Sequence, residues 1–225
     1  MTRSKPHTAA DGRAALYIAV LALVLLALAL LSFVLGRYDV PFVQVVRILL
    51  SRVVPLEKTW TDNMAAAVLN VRLPRILLAG LVGCALSAAG TAYQSVFRNP
   101  MAAPDILGAS SGACFGAALA ILLGLVRLGV TALAFAASLA TVALVYVLAR
   151  RIRGNQVVNL LLAGIMISSL FSAGTSYIKL VADPTNQLPA ITYWLMGSLS
   201  GTRMKDVGFA LLPMALGLVP LLLLR

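Results

Sequence analysis

The sequence predicts an all-α integral membrane protein, a polytopic helix bundle with six transmembrane spans and one short re-entrant or interfacial helix. Three observations carry this. Hydrophobic residues make up 61% of the 225 residues and charged residues 11%, against roughly 45–50% apolar and about 25% charged in a soluble domain. The apolar residues gather into six uncharged runs of a length that crosses, or nearly crosses, a hydrocarbon core of roughly 30 Å. All the acidic residues (Asp11, Asp39, Glu57, Asp62, Asp105, Asp183 and Asp206) lie outside those runs. The same composition excludes a disordered chain.

Residues 1–13 read as a polar, cytoplasmic tail holding Arg3, Lys5, His7 and Arg13, and residues 14–225 as the transmembrane domain. The first run, 14–36, is longer than the roughly 7–15 apolar residues of a secretory signal. It ends in Gly36-Arg37-Tyr38-Asp39 without a cleavage pattern, so it reads as a retained span. Residues 37–75 are mixed, and helical spacing of the apolar residues over 40–54 predicts a short surface helix. The second span is expected at 76–97, followed by 106–126, 128–149, 154–178 and 207–224. Only Arg127 separates the third and fourth runs, which predicts a tight antiparallel hairpin.

Two connections are unusual. In Phe97-Arg-Asn-Pro-Met-Ala-Ala-Pro-Asp105, two prolines four apart forbid a continuous helix, and Asn99 favours a turn before Pro100. Asp105 stands beside the next helix's N-terminus, where a carboxylate is favoured. A stiff turn of this kind can serve as a constriction at a pore mouth. In 180–201, Asp183-Pro184 and Pro189 interrupt the helix, and the apolar stretch 190–201 is too short to span. Tyr193 and Trp194 suit a membrane interface, and irregular backbone at membrane depth is tolerated where it lines a cavity. This stretch is the sequence's pointer to a substrate path.

The net charge of +11 reads as juxtamembrane Lys and Arg facing water and anionic lipid. No basic run is interleaved with aromatics, so nucleic acid is not an expected partner. With the N-terminus inside, eight cations lie on the cytoplasmic side and ten outside, six of them within 37–75. Dense clusters at span ends weigh most in setting orientation. The densest, Arg150-Arg151-Ile152-Arg153, favours N-in.

Catalysis finds little support. Ser110 and Ser111 in Gly108-Ala-Ser-Ser-Gly112 look like a nucleophile turn, but no span carries a His to activate them. No acidic pair could hold Mg²⁺. Cys84 and Cys114 lie apart within apolar runs, so neither a metal site nor a cofactor is expected. Proton-coupled transporters keep ionisable groups within the membrane; here the runs have none, so transport would draw energy from a separate ATPase. Small residues at i, i+4 spacing are plentiful: Gly108, Gly112 and Gly116 form a ladder, and Gly83/Ser87 and Gly197/Gly201 form shorter pairs. Such faces let helices pack closely in lipid.

Four motifs in order carry a resemblance. They are Val71-Arg-Leu-Pro-Arg75, the stretch from Gln94 through Arg98-Asn-Pro-Met-Ala-Ala-Pro-Asp105 to Ala113, Leu160-Leu-Leu-Ala-Gly164 and Tyr193-Trp-Leu-Met-Gly-Ser198. From the first span onward the chain resembles the FecCD-type permeases, the membrane subunits of bacterial ABC importers for iron-siderophores, haem and cobalamin. The resemblance implies a fold of about ten spans in the plasma (inner) membrane and a second permease subunit, identical or not. It also implies cytoplasmic ATPase subunits and an extracytoplasmic binding protein that delivers substrate. It assigns Arg72 and Arg75 to binding-protein docking, although a snorkelling anchor role accounts for arginines there equally well. It places Asn99, Pro100 and Met101, with Val157 and Val158, at a cytoplasmic gate; these valines are more apolar than the pattern leads one to expect. The short helix, through Tyr193, Trp194, Gly197 and Ser198, falls on the translocation path. The family's coupling helices and further spans would follow Arg225, so the chain reads as truncated after its sixth span. The alternatives are a secondary transporter or channel without an ATPase, or a truncated membrane protein that does not transport.

Overall fold

The computed structural model describes residues 8–223. Residues 1–7, His7 among them, lie outside them, as do Leu224 at the end of the expected sixth span and Arg225. Every regular element among the described residues is helical. In chain order they are α1 (Thr8–Val34), α2 (Phe42–Leu50), α3 (Asp62–Ala66), a π-helical segment (Ala67–Arg72), α4 (Leu73–Phe97), α5 (Ala109–Leu122), α6 (Arg127–Arg151), α7 (Gln156–Val181), α8 (Gln187–Met196) and α9 (Met204–Leu223).

Among the described residues, five helical stretches are long and apolar enough to cross a membrane: Gly12–Val34, Asp62–Phe97, Arg127–Arg151, Gln156–Val181 and Met204–Leu221. The expected third span is the exception. Its apolar run is helical only over the 14 residues of α5, about 21 Å at 1.5 Å per residue. Ile106 and Leu107 belong instead to a turn that ends at Gly108, whose φ of 72° is left-handed. Hydropathy reads apolar turn and apolar helix alike. A helix also starts at Thr8, inside the stretch expected to be a tail.

The second span differs at its start. It was expected at Ile76, yet the rod begins at Asp62, where Thr61 Oγ1 accepts from the Met64 N–H at 3.3 Å. Pro74, fully buried, lies inside the rod. Proline lacks the N–H that would bond four residues back, and the chain meets this with the π-helical turn just before it. There the Leu73 N–H reaches the Val68 carbonyl, five residues back.

The chain divides into two compact units, with boundaries inside α4 and inside α9. The first holds α1, α2, α3, the π-helical segment, the start of α4 and Leu199–Ala215. Its core is Phe33, Val40, Val45, Ile48 and Val68. Val45 and Ile48, three apart on α2, both point inward, so α2 packs with one face rather than lying loose on a surface. Its polar face fastens the 55–61 connection, with Arg47 Nη1 donating to Thr59 Oγ1 at 2.9 Å.

The second unit covers Val82–Ser198 together with the end of α9. The α5–α6 hairpin stands as the sequence predicts, turned through Gly124 at φ 72°. Gly112 and Gly116 are buried against α6. A Cβ on Gly116 would lie 2.6 Å from the Ala137 Cβ and 2.7 Å from the Leu133 carbonyl oxygen. On α7, a Cβ at Gly164 would strike the Ile106 carbonyl, and one at Gly174 would lie 2.8 Å from the Phe115 ring. Bare backbone thus sets the spacing of all three helices. The other small pairs behave differently: Gly83, Gly197 and Gly201 face open space.

The short helix α8 runs over Gln187–Met196 rather than 190–201. Pro189 does not break it, because it falls in the first turn, where no intrahelical N–H is needed. Since α5 stops at Leu122, its last carbonyl is free to accept from Gln187 Nε2 at 3.1 Å. Ile191 then packs with Ala118, Ile178 and Ala182. The Asp183-Pro184 interruption stands, and Asp183 Oδ2 accepts from the Asn186 N–H at 2.8 Å.

Candidate functional site

Arg72 lies at the end of the π-helical turn and is 8% exposed. Its guanidinium donates through Nη1 to the carbonyls of Phe33 and Val34 and through Nη2 to that of Tyr38. The Phe33 and Val34 carbonyls belong to the last turn of α1 and have no partner within that helix. In a membrane such orphans are costly, and a cation at a helix C-terminus also meets the favourable end of its dipole. Arg72 therefore closes α1. Gly36 lies close beside it: a Cβ there would lie 2.6 Å from Nη2, so a larger residue would have to shift the end of the Arg72 side chain.

Arg75 faces the same region from the first turn of α4. Its Nε donates to the Leu199 carbonyl at 3.3 Å and its Nη2 to that of Ser200 at 3.1 Å. Both arginines, with Arg37, line an open cavity of about 650 Å³. Its other walls come from Ser32 of α1, Leu35, Gly36 and Tyr38 just beyond it, Ala67 and Val71 of the π-helical turn, Ile76 and Ala79 of α4, and Leu199. The sequence singled out the two arginines but gave no sign of the cavity. Their acceptors are backbone carbonyls far away in sequence, which no side-chain pattern reveals.

The residues expected at a gate occupy two places in the second unit. Asn99 Oδ1 accepts from the Met101 N–H at 2.9 Å, and the Ala102 N–H reaches the Asn99 carbonyl at 3.1 Å, which shapes the turn through Pro100. Arg98 enters it with φ 48°. Met101 is 85% exposed. Val157 and Val158 open α7, and both their N–H groups reach the Asn155 side-chain oxygen, at 2.9 and 3.4 Å. Among the described residues no hydrogen bond joins the two places. Asn155 is a helix cap that the sequence reading passed over, although an Asn just ahead of an apolar run is a recognisable start signal. Asn159 was also missed; it is buried and donates to the Ile152 carbonyl at 2.9 Å.

Tyr193, Trp194, Gly197 and Ser198 lie together at the C-terminal end of α8. Tyr193 is 74% exposed. Gly197 ends the helix at φ 71°, with its N–H on the Trp194 carbonyl at 3.1 Å. Gly108, the first of the glycine ladder, caps α5 rather than lying within it, and a Cβ there would strike the Ser168 hydroxyl. Asp183, outside the spans, has its carboxyl held below the usual range, chiefly by the Asn186 N–H. Among the described residues no three His, Cys, Asp or Glu side chains converge on a metal-sized space.

The sequence profile of the FecCD transport family matches residues 23–225. The "Probable iron chelatin transport system permease protein" of Helicobacter pylori is 41% identical over 73% of the chain and 49% of its own length. The molybdate import system permease protein MolB of Haemophilus influenzae is 34% identical over 87% of the chain and 58% of its own length. A solved ABC transporter, described as inward-facing and of metal-chelate type, superposes with a TM-score of 0.74 at 31% identity, over 89% of this chain and 59% of that one. The chain thus spans about half the length of the curated relatives it matches. With the helical architecture and the four motifs in order, these matches are decisive: the chain is a membrane-spanning member of the FecCD transport family.

Proposed function

We propose that the chain works as the membrane permease subunit of an ATP-driven ABC importer, and that its cargo is an iron-siderophore complex or a related chelate such as haem or cobalamin. Family membership carries this reading, supported by relatives named as permeases for an iron chelatin and for molybdate. ATP hydrolysis belongs to separate cytoplasmic subunits. A second permease subunit completes the path and an extracytoplasmic binding protein feeds it. The protein sits in a bacterial plasma membrane with its N-terminus inside, and the arginine cluster at 150–153 then faces the cytoplasm, as the positive-inside rule favours.

Arg72 and Arg75 serve the outer, docking face in this reading. Arg75 is the better placed to meet a partner's carboxylate, because Arg72 is buried and bound to the carbonyls of Phe33, Val34 and Tyr38. Asn99, Pro100, Met101, Val157 and Val158 form the gate, and Tyr193, Trp194, Gly197 and Ser198 border the path. The test is uptake of radiolabelled ferric siderophore, haem, cobalamin and molybdate by cells lacking the gene and by complemented cells. Loss of one chelate, restored on complementation and abolished by depleting the associated ATPase, is the expected result. Loss of molybdate alone would replace the cargo class, and uptake that survives ATPase depletion would overturn the ATP-driven mechanism.

A further inference from the structure

Helix α2 has a third face that neither its core contacts nor its hydrogen bonds use. Successive residues of an α-helix turn by about 100°. Val45, Ile48 and Leu49 share one arc and pack into the core of the first unit. Gln44 and Arg47 share a second, polar arc and reach Thr59. Phe42, Val43, Val46 and Leu50 share the remaining arc, about 100° wide. This arc is wholly apolar, yet Phe42, Val43 and Leu50 are each half exposed or more, and Val46 is only partly buried. Just past the helix the chain stays apolar and exposed, at Val53 and Val54.

The position of α2 supplies what covers this face. The helix follows Val34, the last residue of a membrane-crossing stretch, after the link 35–41. Its core arc packs on Phe33, in the last turn of that stretch, and on Val68 of the rod that returns. The helix is thus held where α1 leaves the hydrocarbon, at the depth of the headgroup boundary. Exposed apolar side chains of α1, Leu30 and Leu31, lead up to the same level. Tyr38 and Trp60, residue types enriched at membrane interfaces, flank the helix in the chain. Helices that lie in an interface carry an apolar face and, opposite it, a cationic polar one. Here Arg47 stands on the polar arc, and Arg52 and Lys58 follow, all exposed.

We infer that α2 lies in the boundary of the bilayer, with Phe42, Val43, Val46 and Leu50 immersed among the upper acyl carbons and Gln44 and Arg47 turned to water. Four partly exposed side chains fall well short of the roughly 800 Å² per partner that a stable protein interface buries. A leaflet sets no such minimum, and the face runs on from the apolar surface that α1 already gives to lipid. Immersion fixes the height at which the first unit meets the membrane surface, and it leaves Arg72 and Arg75 to the docking partner.

Spin-label accessibility of the whole chain in vesicles of phosphatidylethanolamine and phosphatidylglycerol tests this. Cys84→Ala and Cys114→Ala remove the native thiols, and a nitroxide is then attached through Val43→Cys, Leu50→Cys or Glu57→Cys, one at a time. Glu57 belongs to the exposed 55–61 connection that the polar arc fastens, and it serves as the water-facing control. Relaxation of each label is read with dissolved oxygen, which concentrates in acyl chains, and with nickel ethylenediamine diacetate, which stays in water. Labels at 43 and 50 should collide more with oxygen than with nickel, and the label at 57 more with nickel than with oxygen. Phe42→Cys, on the same arc, stands in for either position if that variant fails to insert. Nickel prevailing at 43 or 50 would put the face in water and overturn the proposal. Labels shielded from both reagents would show the face covered by protein, a second copy or another subunit, and would overturn it equally.

Discussion

The end of α1 and the α5–α6 hairpin solve the same problem by opposite means. Both must hold helices together where water gives no hydrophobic drive. At the hairpin the solution is absence: Gly112 and Gly116 carry no side chain, so α6 approaches until backbone meets backbone. At the end of α1 the solution is a single long side chain, Arg72, that reaches three carbonyls from the π-helical turn. Glycine packing is spread along a seam and specifies distance. The arginine contact is concentrated at one point and specifies where a helix stops. The first fails by overcrowding and the second by leaving polar groups stranded.

The sharpest way to break this contrast is Gly116→Leu. A side chain there must displace Ala137 and the Leu133 carbonyl, and overpacking of this kind costs about 3 kcal/mol at its upper end. Unfolding of purified protein by titrated SDS, followed by circular dichroism, should show a much earlier transition. A change within experimental scatter would mean that the hairpin seam is not close-packed. Next in size is Arg72→Met, which keeps length but strands the Phe33 and Val34 carbonyls. Hydrogen bonds to charged groups are worth about 1.5–3 kcal/mol, and the loss should centre on α1 and α2. Hydrogen exchange there should quicken while α5 and α6 keep their protection; equal loss in both regions would dissolve the distinction between point and seam. The smallest effect is expected at Asp183. Its carboxyl is held below the usual range by the Asn186 N–H, so its support for the start of α8 is complete above the ordinary carboxylate pKa. That support fades as pH falls through the lowered folded value. Trp194 fluorescence should shift on acidification in the wild type, and Asp183→Asn should flatten this response. A wild-type signal that is constant down to pH 2 would remove the role.

What the sequence makes legible follows from which forces write themselves into residue types. The hairpin was visible because glycine spacing and a single intervening Arg127 are local signs. The short helix was visible because its apolar run could not span. The start of the second span was hidden because Asn63, Asn70, Arg72 and Arg75 interrupt the apolar pattern, although helix geometry continues through them. The shortness of α5 was hidden for the reverse reason, since Ile106 and Leu107 are apolar without being helical. At the candidate site, residue types picked out Arg72 and Arg75 but gave no sign that Arg72 is buried. Its burial depends on Phe33, Val34 and Tyr38 arriving through tertiary folding.

The π-helical turn ahead of Pro74 also acts on phase. Each residue of an α-helix advances the side chains by about 100°, and a turn closed by bonds five residues apart resets that advance by about one residue. Side chains on α3 and on α4 therefore obey two separate angular registers along one continuous rod. Met64, Ala65 and Val68 can point at the α2 core without dictating which stripe the later turns present. Removing one residue between Ala67 and Arg72 would leave the rod nearly as long but rotate its two ends against each other. The turn is in effect a gear offset, which lets one helix serve two surroundings that need not share a face.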